Sequence, residues 1–352
     1  MISNHRIILK KRPNYNSLPL EDDFQYEECP IPELDTGQIL VKTLYLSMDP
    51  YMRCKMNENT GTDYLTPLNL DEVIDGVGLG VVMASEDSNF CEGDILESYH
   101  WPWQKYAVFD VSGFNSLLVN KVDTKLTGKN YTLMLNLFGL PGLAAFIGIR
   151  QKAHINPEAK QTMAVSAAGG ASGSMAVQIS KLEGCSRVVG ICGSSEKCKF
   201  VADLGADDVI NYKEGDLDQR LSEACPHGVD IYFDNVGGAI SDAVISHMND
   251  NSHVVLCGQI AMYNTDHEYP PPLSGEIQDL LCTRDITRER FLVLNYIERF
   301  QASILQLNKW YKMGKIKCRE TVTHGLSKVP EAFIGMMSGR NIGKQIVCVS
   351  EP

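Results

Sequence analysis

Thr162-Met-Ala-Val-Ser-Ala-Ala-Gly-Gly-Ala-Ser-Gly-Ser-Met-Ala-Val-Gln-Ile-Ser-Lys-Leu182 is the run on which the fold turns. Thr162–Val165 is a short apolar strand, Ala167–Gly173 a turn of small residues, and Ser174–Leu182 has helical composition. Arg187–Cys192 then returns to an apolar strand. The turn has the form AxxGxxG, with Ala167, Gly170 and Gly173 at the marked positions. A bare backbone at 170 can approach a pyrophosphate closely, and one at 173 lets the helix pack against the strand. The helix start adds unpaired N–H groups and about half a positive charge. Strand, turn, helix and strand in this order predict a dinucleotide-binding unit, with Gly170, Ala171, Ser172 and Gly173 at the phosphates. Ala167 stands where glycine is common, and alanine still fits many such turns.

Downstream the alternation continues. Lys197–Leu204 and Ile240–Met248 read as helices; Asp208–Tyr212, Val229–Asp234 and His253–Cys257 read as strands. Alternating elements with continuous apolar strands predict a parallel sheet covered on both faces, wound by right-handed crossovers into a Rossmann doubly wound α/β domain. Upstream, to about Val122, the text is β-like: Gln38–Leu46 alternates, and Val73–Met83 carries Gly76, Gly78 and Gly80 as signals of bulges or bends. Helical stretches at Tyr131–Leu137 and Leu143–Ala153 lead into the glycine turn. Helices near Ser303–Met313 and Val329–Met337 and a strand Gln345–Val349 close the chain. The expected domains are therefore 126–304 for the nucleotide and 1–125 with 305–352 for a mainly-β partner.

The second strand ends in Cys192-Gly-Ser-Ser-Glu-Lys197, small neutral residues followed by a lysine. An NAD site wants an acid about 20 residues past the turn to bond the ribose 2′-hydroxyl. Here a 2′-phosphate could rest on Ser194 and Ser195 with Lys197 as counter-charge and Tyr212 flanking the adenine side. That favours NADPH. Glu196 argues the other way unless it belongs to the next helix, and Lys197 on a solvated helix face is the plainer alternative.

The chain has 352 residues and a net charge of −12, which disfavours a partner bound through phosphate neutralisation, so no nucleic-acid partner is expected. Eleven cysteines are scattered without a CxxC pair, Cys192 and Cys198 being the closest two. With only a short apolar run at Ile7–Leu9, they suggest reduced thiols in a cytoplasmic protein. Asn130–Ile149 is uncharged for 20 residues, but Pro141 and three glycines make it a buried, interrupted helix rather than a membrane span. The eight histidines form no HxxxH pair, and GxSxG is missing. No metal is expected. Hydride transfer at a nicotinamide is the chemistry that remains.

Leu44-Tyr-Leu-Ser-Met-Asp-Pro-Tyr-Met-Arg53, Tyr232-Phe-Asp-Asn-Val-Gly-Gly238, Gly258-Gln-Ile260 and Asn341-Ile-Gly-Lys344 together resemble the zinc-independent medium-chain dehydrogenase/reductases, in particular their leukotriene B4 dehydrogenase and prostaglandin reductase branch. Met52-Arg-Cys-Lys-Met-Asn57, Gly61-Thr-Asp-Tyr64, Trp101-Pro-Trp103, Tyr269-Pro-Pro-Pro272 and Ile286–Asn295 narrow the likeness to its prostaglandin reductases. The resemblance spans nearly the whole chain. It implies a GroES-like mainly-β catalytic domain beside the Rossmann domain, and NADPH-dependent saturation of an α,β-unsaturated ketone, specifically the conjugated double bond of 15-keto prostaglandins. It further implies coenzyme contacts at Gly170–Gly173, Lys197, Tyr212, Asn235, Cys257, Gly258, Gln259, Ile260, Ala261, Met262, Tyr263, Phe291, Leu292, Val293 and Asn341. Substrate contacts would fall at Tyr99, His100, Leu292, Val293 and Leu294. His100 departs from the expected aromatic.

Hydride addition to the β-carbon of an enone builds negative charge on the ketone oxygen, and a donor aimed there lowers the barrier. Tyrosine is such a donor, neutral at pH 7. Tyr64 and Tyr263 are the candidates, with a coenzyme ribose hydroxyl as a third. Trp101, Pro102, Trp103, Tyr269 and Pro270–Pro272 could wall an apolar cleft for a lipid substrate. The stretch 262–289 could form a lid, since it shows few regular signals. A quinone or alkenal reductase on the same scaffold, and a non-catalytic NADPH-binding protein, are the alternatives; monomer and homodimer both stay open.

Overall fold

The structure is a computed structural model that describes residues 3–113, 119–266 and 271–351. The chain forms two compact units. Unit 1 comprises Met1–Leu135, Asn264–Asp266 and Glu320–Pro352; unit 2 comprises Asn136–Tyr263 and His267–Arg319.

Unit 1 begins with β1 (Asn4–Leu9) and β2 (Phe24–Cys29), an antiparallel pair. It continues through β3 (Gln38–Ser47), α1 (Met52–Lys55), β4 (Asp75–Ser85), β5 (Ile95–Pro102), β6 (Tyr106–Asp110), β7 (Val119–Lys121) and α2 (Thr124–Thr127). Gly78 and Gly80 of β4 have a packing reason: a Cβ at either would lie about 2.5 Å or less from the Trp101 ring. Trp101 donates from Nε1 to Thr43 Oγ1 at 2.8 Å, and Trp103 packs between Phe24 and Phe333. Both tryptophans are fully buried. The expectation that they wall a substrate cleft is therefore corrected, because their indoles are spent in the core of unit 1. Tyr269 and Pro270 lie outside the described residues.

Unit 2 opens with α3 (Leu140–Lys152), then β8 (Thr162–Val165), α4 (Ala171–Glu183), β9 (Arg187–Cys192), α5 (Ser195–Asp203), β10 (Asp208–Asn211), α6 (Leu217–Ala224), β11 (Val229–Asp234), α7 (Gly238–Ser246) and β12 (Met248–Leu256). α8 (Gly275–Thr283), β13 (Thr287–Arg290) and α9 (Phe300–Lys312) complete it. The strands form one parallel sheet in the order β10-β9-β8-β11-β12-β13. All four residues of β8 are buried, as a strand covered on both faces requires. The strand order reverses between β8 and β11, which is where such sheets open a crevice at their carboxyl ends.

One expectation holds here and two change. The uncharged run 130–149 splits into a 3-10 turn, Tyr131–Leu135, and α3; among the described residues no helix is long and apolar enough to cross a membrane. The stretch 262–289 carries more regular structure than its sequence signals: among its described residues it holds α8 and part of β13, which pairs with β12 from His253 onward. α9 falls in unit 2: Trp310 packs edge-on to Phe146 of α3 at 5.6 Å, so the chain returns to unit 1 at Glu320, later than 305. In unit 1, β14 (Glu320–His324), α10 (Val329–Met337) and β15 (Lys344–Cys348) then extend the sheet, with β15 on β3.

Candidate active site

Gly170 is the N-cap of α4, so residues 171–173 form its first turn, whose N–H groups lack intrahelical partners. A Cβ on Gly173 would stand 2.2 Å from the Ala167 carbonyl oxygen, whereas one on Gly170 would meet only that oxygen, at 3.2 Å. Gly173 is thus the packing glycine, and the space before Gly170 is open. Ala167 has φ +46°, a left-handed angle that costs an L-residue roughly 1–2 kcal/mol. Alanine fits this turn, but under strain.

Lys197 lies in the first turn of α5, where Ser194 caps the helix by accepting the Lys197 N–H at 3.3 Å. Its stem rests on the phosphate turn: a Cβ on Gly169 would lie 3.0 Å from both Cβ and Cγ of Lys197. Burial, opposed by Cys192 and reinforced by Lys213, lowers the Lys197 ammonium from the usual lysine range. Glu196 is turned to Arg319, Oε1 to Nη2 at 3.0 Å. Ser195 Oγ donates to Glu214 at 3.4 Å. The Tyr212 ring covers Gly193, where a Cβ would lie 2.8 Å from Cε1. Ser194, Lys197 and Tyr212 therefore converge on the carboxyl end of β9.

The crevice between β8 and β11 is organised by a buried carboxylate. Asp234 accepts from Tyr232 Oη, Ser166 Oγ, Ser241 Oγ and the N–H groups of Val236 and Gly237, at 2.8–3.2 Å. Asn235 donates from Nδ2 to the Ser166 carbonyl at 2.7 Å and from its backbone N–H to Ser166 Oγ at 2.9 Å. The run 257–263 is zipped along this loop: the N–H groups of Cys257 and Gly258 donate to Asp234 O, Ile260 to Asn235 O and Ala261 to Val236 O. Gln259 is 1% exposed, and its Oε1 has no partner among the described residues. A donor on a bound ligand would satisfy that oxygen. The open glycine turn, the partly desolvated lysine and this orphaned oxygen together fit a dinucleotide.

Tyr263 folds back over its own loop and accepts the Gln259 N–H on its hydroxyl at 3.3 Å. Ile260–Met262 form a 3-10 turn that presents Ala261 to solvent. Phe291 packs against Gly148, where a Cβ would lie 2.5 Å from its ring, so what it can offer a coenzyme is backbone. Val293 is also buried; Leu292 is half-buried and Leu294 exposed.

In unit 1, Tyr99 and His100 form a bulge: β4 advances two residues, Gly76 to Gly78, while β5 retreats three, Trp101 to Ser98. Bulges re-aim side chains, often beside active sites. His100 Nδ1 lies 3.0 Å from Asp75 Oδ2, and Asp75 also pairs with Lys55. Burial and Glu97 push the Tyr99 phenol up, and burial does the same to Tyr51. Tyr64 is 43% exposed, on a turn. Asn341 donates to Gly343 O at 2.7 Å. Arg53, which carries no assigned role in the sequence reading, is fully buried; it donates to Asn264 Oδ1 at 3.0 Å, Asn57 Oδ1 at 2.6 Å and the Asn14 carbonyl at 2.9 Å. Ser166 and Asp234 were missed as well, although Asp234 opens the Asp-Asn-Val-Gly-Gly run.

Comparison with known proteins decides the family. Residues 5–117 match the model described as the N-terminal domain of oxidoreductase, and 171–307 the one described as zinc-binding dehydrogenase. A Bacillus subtilis protein named provisionally as an NADP-dependent oxidoreductase is 38% identical over 99% of each chain. Prostaglandin reductase 1 of Mus musculus is 35% identical over 96% of this chain and 97% of its own. The chain is a medium-chain dehydrogenase/reductase. CurA from Vibrio vulnificus, solved in complex with NADPH, superimposes with a TM-score of 0.89 at 34% identity, covering 99% of this chain and 100% of that one. These relatives are consistent with the zinc-independent branch of the medium-chain dehydrogenase/reductases. Among the described residues, the group of His, Cys and acidic side chains close enough to share an ion is His324, Cys348 and Glu351, and none of the candidate site residues belongs to it.

Proposed function

We propose that the chain saturates the conjugated carbon–carbon double bond of an enone with NADPH, and that its substrates are 15-keto prostaglandins. The observation that carries the coenzyme choice is the stem of Lys197 lying on Gly169. It sets a partly desolvated cation at the phosphate turn, where a ribose 2′-phosphate needs a counter-charge. The first turn of α4, with Gly170, Ala171, Ser172 and Gly173, receives the pyrophosphate on its N–H groups. Tyr212 flanks the adenine side. Asn235, the run 257–263, the backbone of 291–293 and Asn341 receive the remainder.

Bound NADPH supplies the hydride that adds to the enone β-carbon. The protein stabilises the charge that then develops on the ketone oxygen. Tyr263 serves as donor: with its oxygen accepting the Gln259 N–H, its own O–H is polarised toward an acceptor. Tyr64 is the second donor. Tyr99, His100, Leu292, Val293 and Leu294 receive the substrate. The prostaglandin reading is supported by the sequence runs around residues 52–64 and 286–295 and by the mouse relative.

The test is kcat/KM for a 15-keto prostaglandin beside a short alkenal and a simple quinone, at saturating NADPH. A preference for the prostaglandin of ten-fold or more supports the assignment. Equal or better turnover of the alkenal or quinone replaces it with that activity on the same scaffold.

A further inference from the structure

Cys192, the last residue of β9, and Cys198, the residue after Lys197 near the start of α5, bring their sulfurs to 3.4 Å. Neither has a part in the reaction above, and both are free thiols. Between them in the chain lie Ser194, which caps α5, and Lys197, which covers Gly169. We propose that this pair is a peroxide-oxidisable dithiol whose disulfide weakens NADPH binding. The proposal rests on the reading of Lys197 as the anchor of the 2′-phosphate.

The two thiols are unequal. Cys198 is half-buried, within reach of a small oxidant, whereas Cys192 is buried. Burial, together with the Cys198 contact, pushes the Cys192 thiol well up. Cys198 is therefore the sulfur that reacts first with hydrogen peroxide: an S–O bond forms, the O–O bond breaks, and the released hydroxide takes the thiol proton to leave as water. Cys192 then attacks the sulfenic sulfur; the S–S bond forms, the S–O bond breaks, and a second water leaves with the Cys192 proton. Two thiols lose two electrons and one peroxide becomes two waters.

A disulfide needs its sulfurs at about 2.05 Å. Closing the pair draws the start of α5 toward the tip of β9. Lys197 shares that helical turn, and its charge is felt by Cys192 even in the reduced protein. Its ammonium is consequently displaced from the phosphate turn. The chemistry is local, since the cap, the lysine and both sulfurs lie within seven consecutive residues.

The experiment uses the whole chain, treated with hydrogen peroxide, quenched, mapped by mass spectrometry and assayed for KM of NADPH. The expected result is a Cys192–Cys198 disulfide, a five-fold or greater rise in that KM, and reversal by dithiothreitol. Cys198→Ser keeps the untreated KM and loses the peroxide effect; Cys192→Ala does the same. Over-oxidation of Cys198 without the cross-link, a cross-link with unchanged KM, or an equal peroxide effect in Cys198→Ser overturns the proposal. Lys197→Ala, assayed untreated, separates the two layers. A raised KM for NADPH there, with no disulfide effect in the parent, defeats the switch alone. An unchanged KM defeats the reading of Lys197 itself.

Discussion

The ammonium of Lys344 stands 2.7 Å from Asp49 Oδ1 and 2.7 Å from the Met48 carbonyl, with all but 1% of the lysine buried. Ser47 Oγ donates to the other carboxylate oxygen of Asp49. The pair clasps β15 to the end of β3 and joins the two sequence runs, Leu-Ser-Met-Asp and Asn-Ile-Gly-Lys, that marked the family. A buried ion pair contributes little net stability against an apolar substitute, but removing one partner strands the other charge. Lys344→Ala is expected to lower unfolding free energy by about 3–5 kcal/mol. Urea denaturation checks it, and a change under 1 kcal/mol would contradict the buried charge.

Glu97 carries a second unusual carboxyl. It is 6% exposed, and its Oε1 has no partner among the described residues, so burial lifts it from 4.5 to about 8. The folded state therefore keeps a proton that the unfolded chain gives up. That contribution is complete below about pH 4.5 and is lost as pH rises to about 8, at roughly 1.4 kcal/mol per pH unit. Glu97→Gln should be more stable than the parent at pH 8 and flatten the slope between pH 5 and 8. Parallel slopes in the two proteins would place Glu97 in water.

Gly173 tolerates no side chain without movement of the helix start. Gly173→Ala puts a Cβ 2.2 Å from the Ala167 carbonyl oxygen, a backbone atom already held in a strained turn. The expected cost is about 1–3 kcal/mol in stability and at least a ten-fold rise in KM for NADPH. Gly170→Ala, with its nearest neighbour at 3.2 Å, should fold normally. Equal stability of the two variants would contradict the division of roles between these glycines.

Tyr263→Phe removes the proposed enolate donor, and with it the hydroxyl that accepts the Gln259 N–H. Losing one such donor typically costs about 3–4 kcal/mol of transition-state stabilisation. The expected outcome is a kcat lowered 10²–10³-fold, on the same scale, with KM for NADPH nearly unchanged. Tyr64→Phe should show the smaller effect, because Tyr64 is 43% exposed. A reversal of the two would hand the donor role to Tyr64.

The nucleotide unit was largely legible, for a physical reason. A buried parallel strand must be apolar along its length, so β8, β9 and β11 announce themselves within a residue or two. β13 did not, because Thr287-Arg-Glu-Arg290 sits at the sheet edge, mostly exposed, and has no apolar pattern to read. Trp101 and Trp103 misled in the opposite direction. A Trp-Pro-Trp run looks like a cleft wall, and only the three-dimensional pairing of β4 with β5 shows that Gly78 and Gly80 were vacated for one of those indoles. The site residues divide the same way. The glycine turn and Lys197 are local signals, whereas the Asp234 hub depends on Ser166, Tyr232 and Ser241, whose convergence follows from the winding of the sheet.

The measurement closest to the central claim is NADPH consumption at 340 nm with a conjugated enone as the only acceptor, followed by identification of the product. The account predicts oxidation that depends on the enone and yields the saturated ketone with its carbonyl intact. Reduction of the carbonyl to an alcohol, or no enone-dependent oxidation by protein shown to bind NADPH, would contradict it.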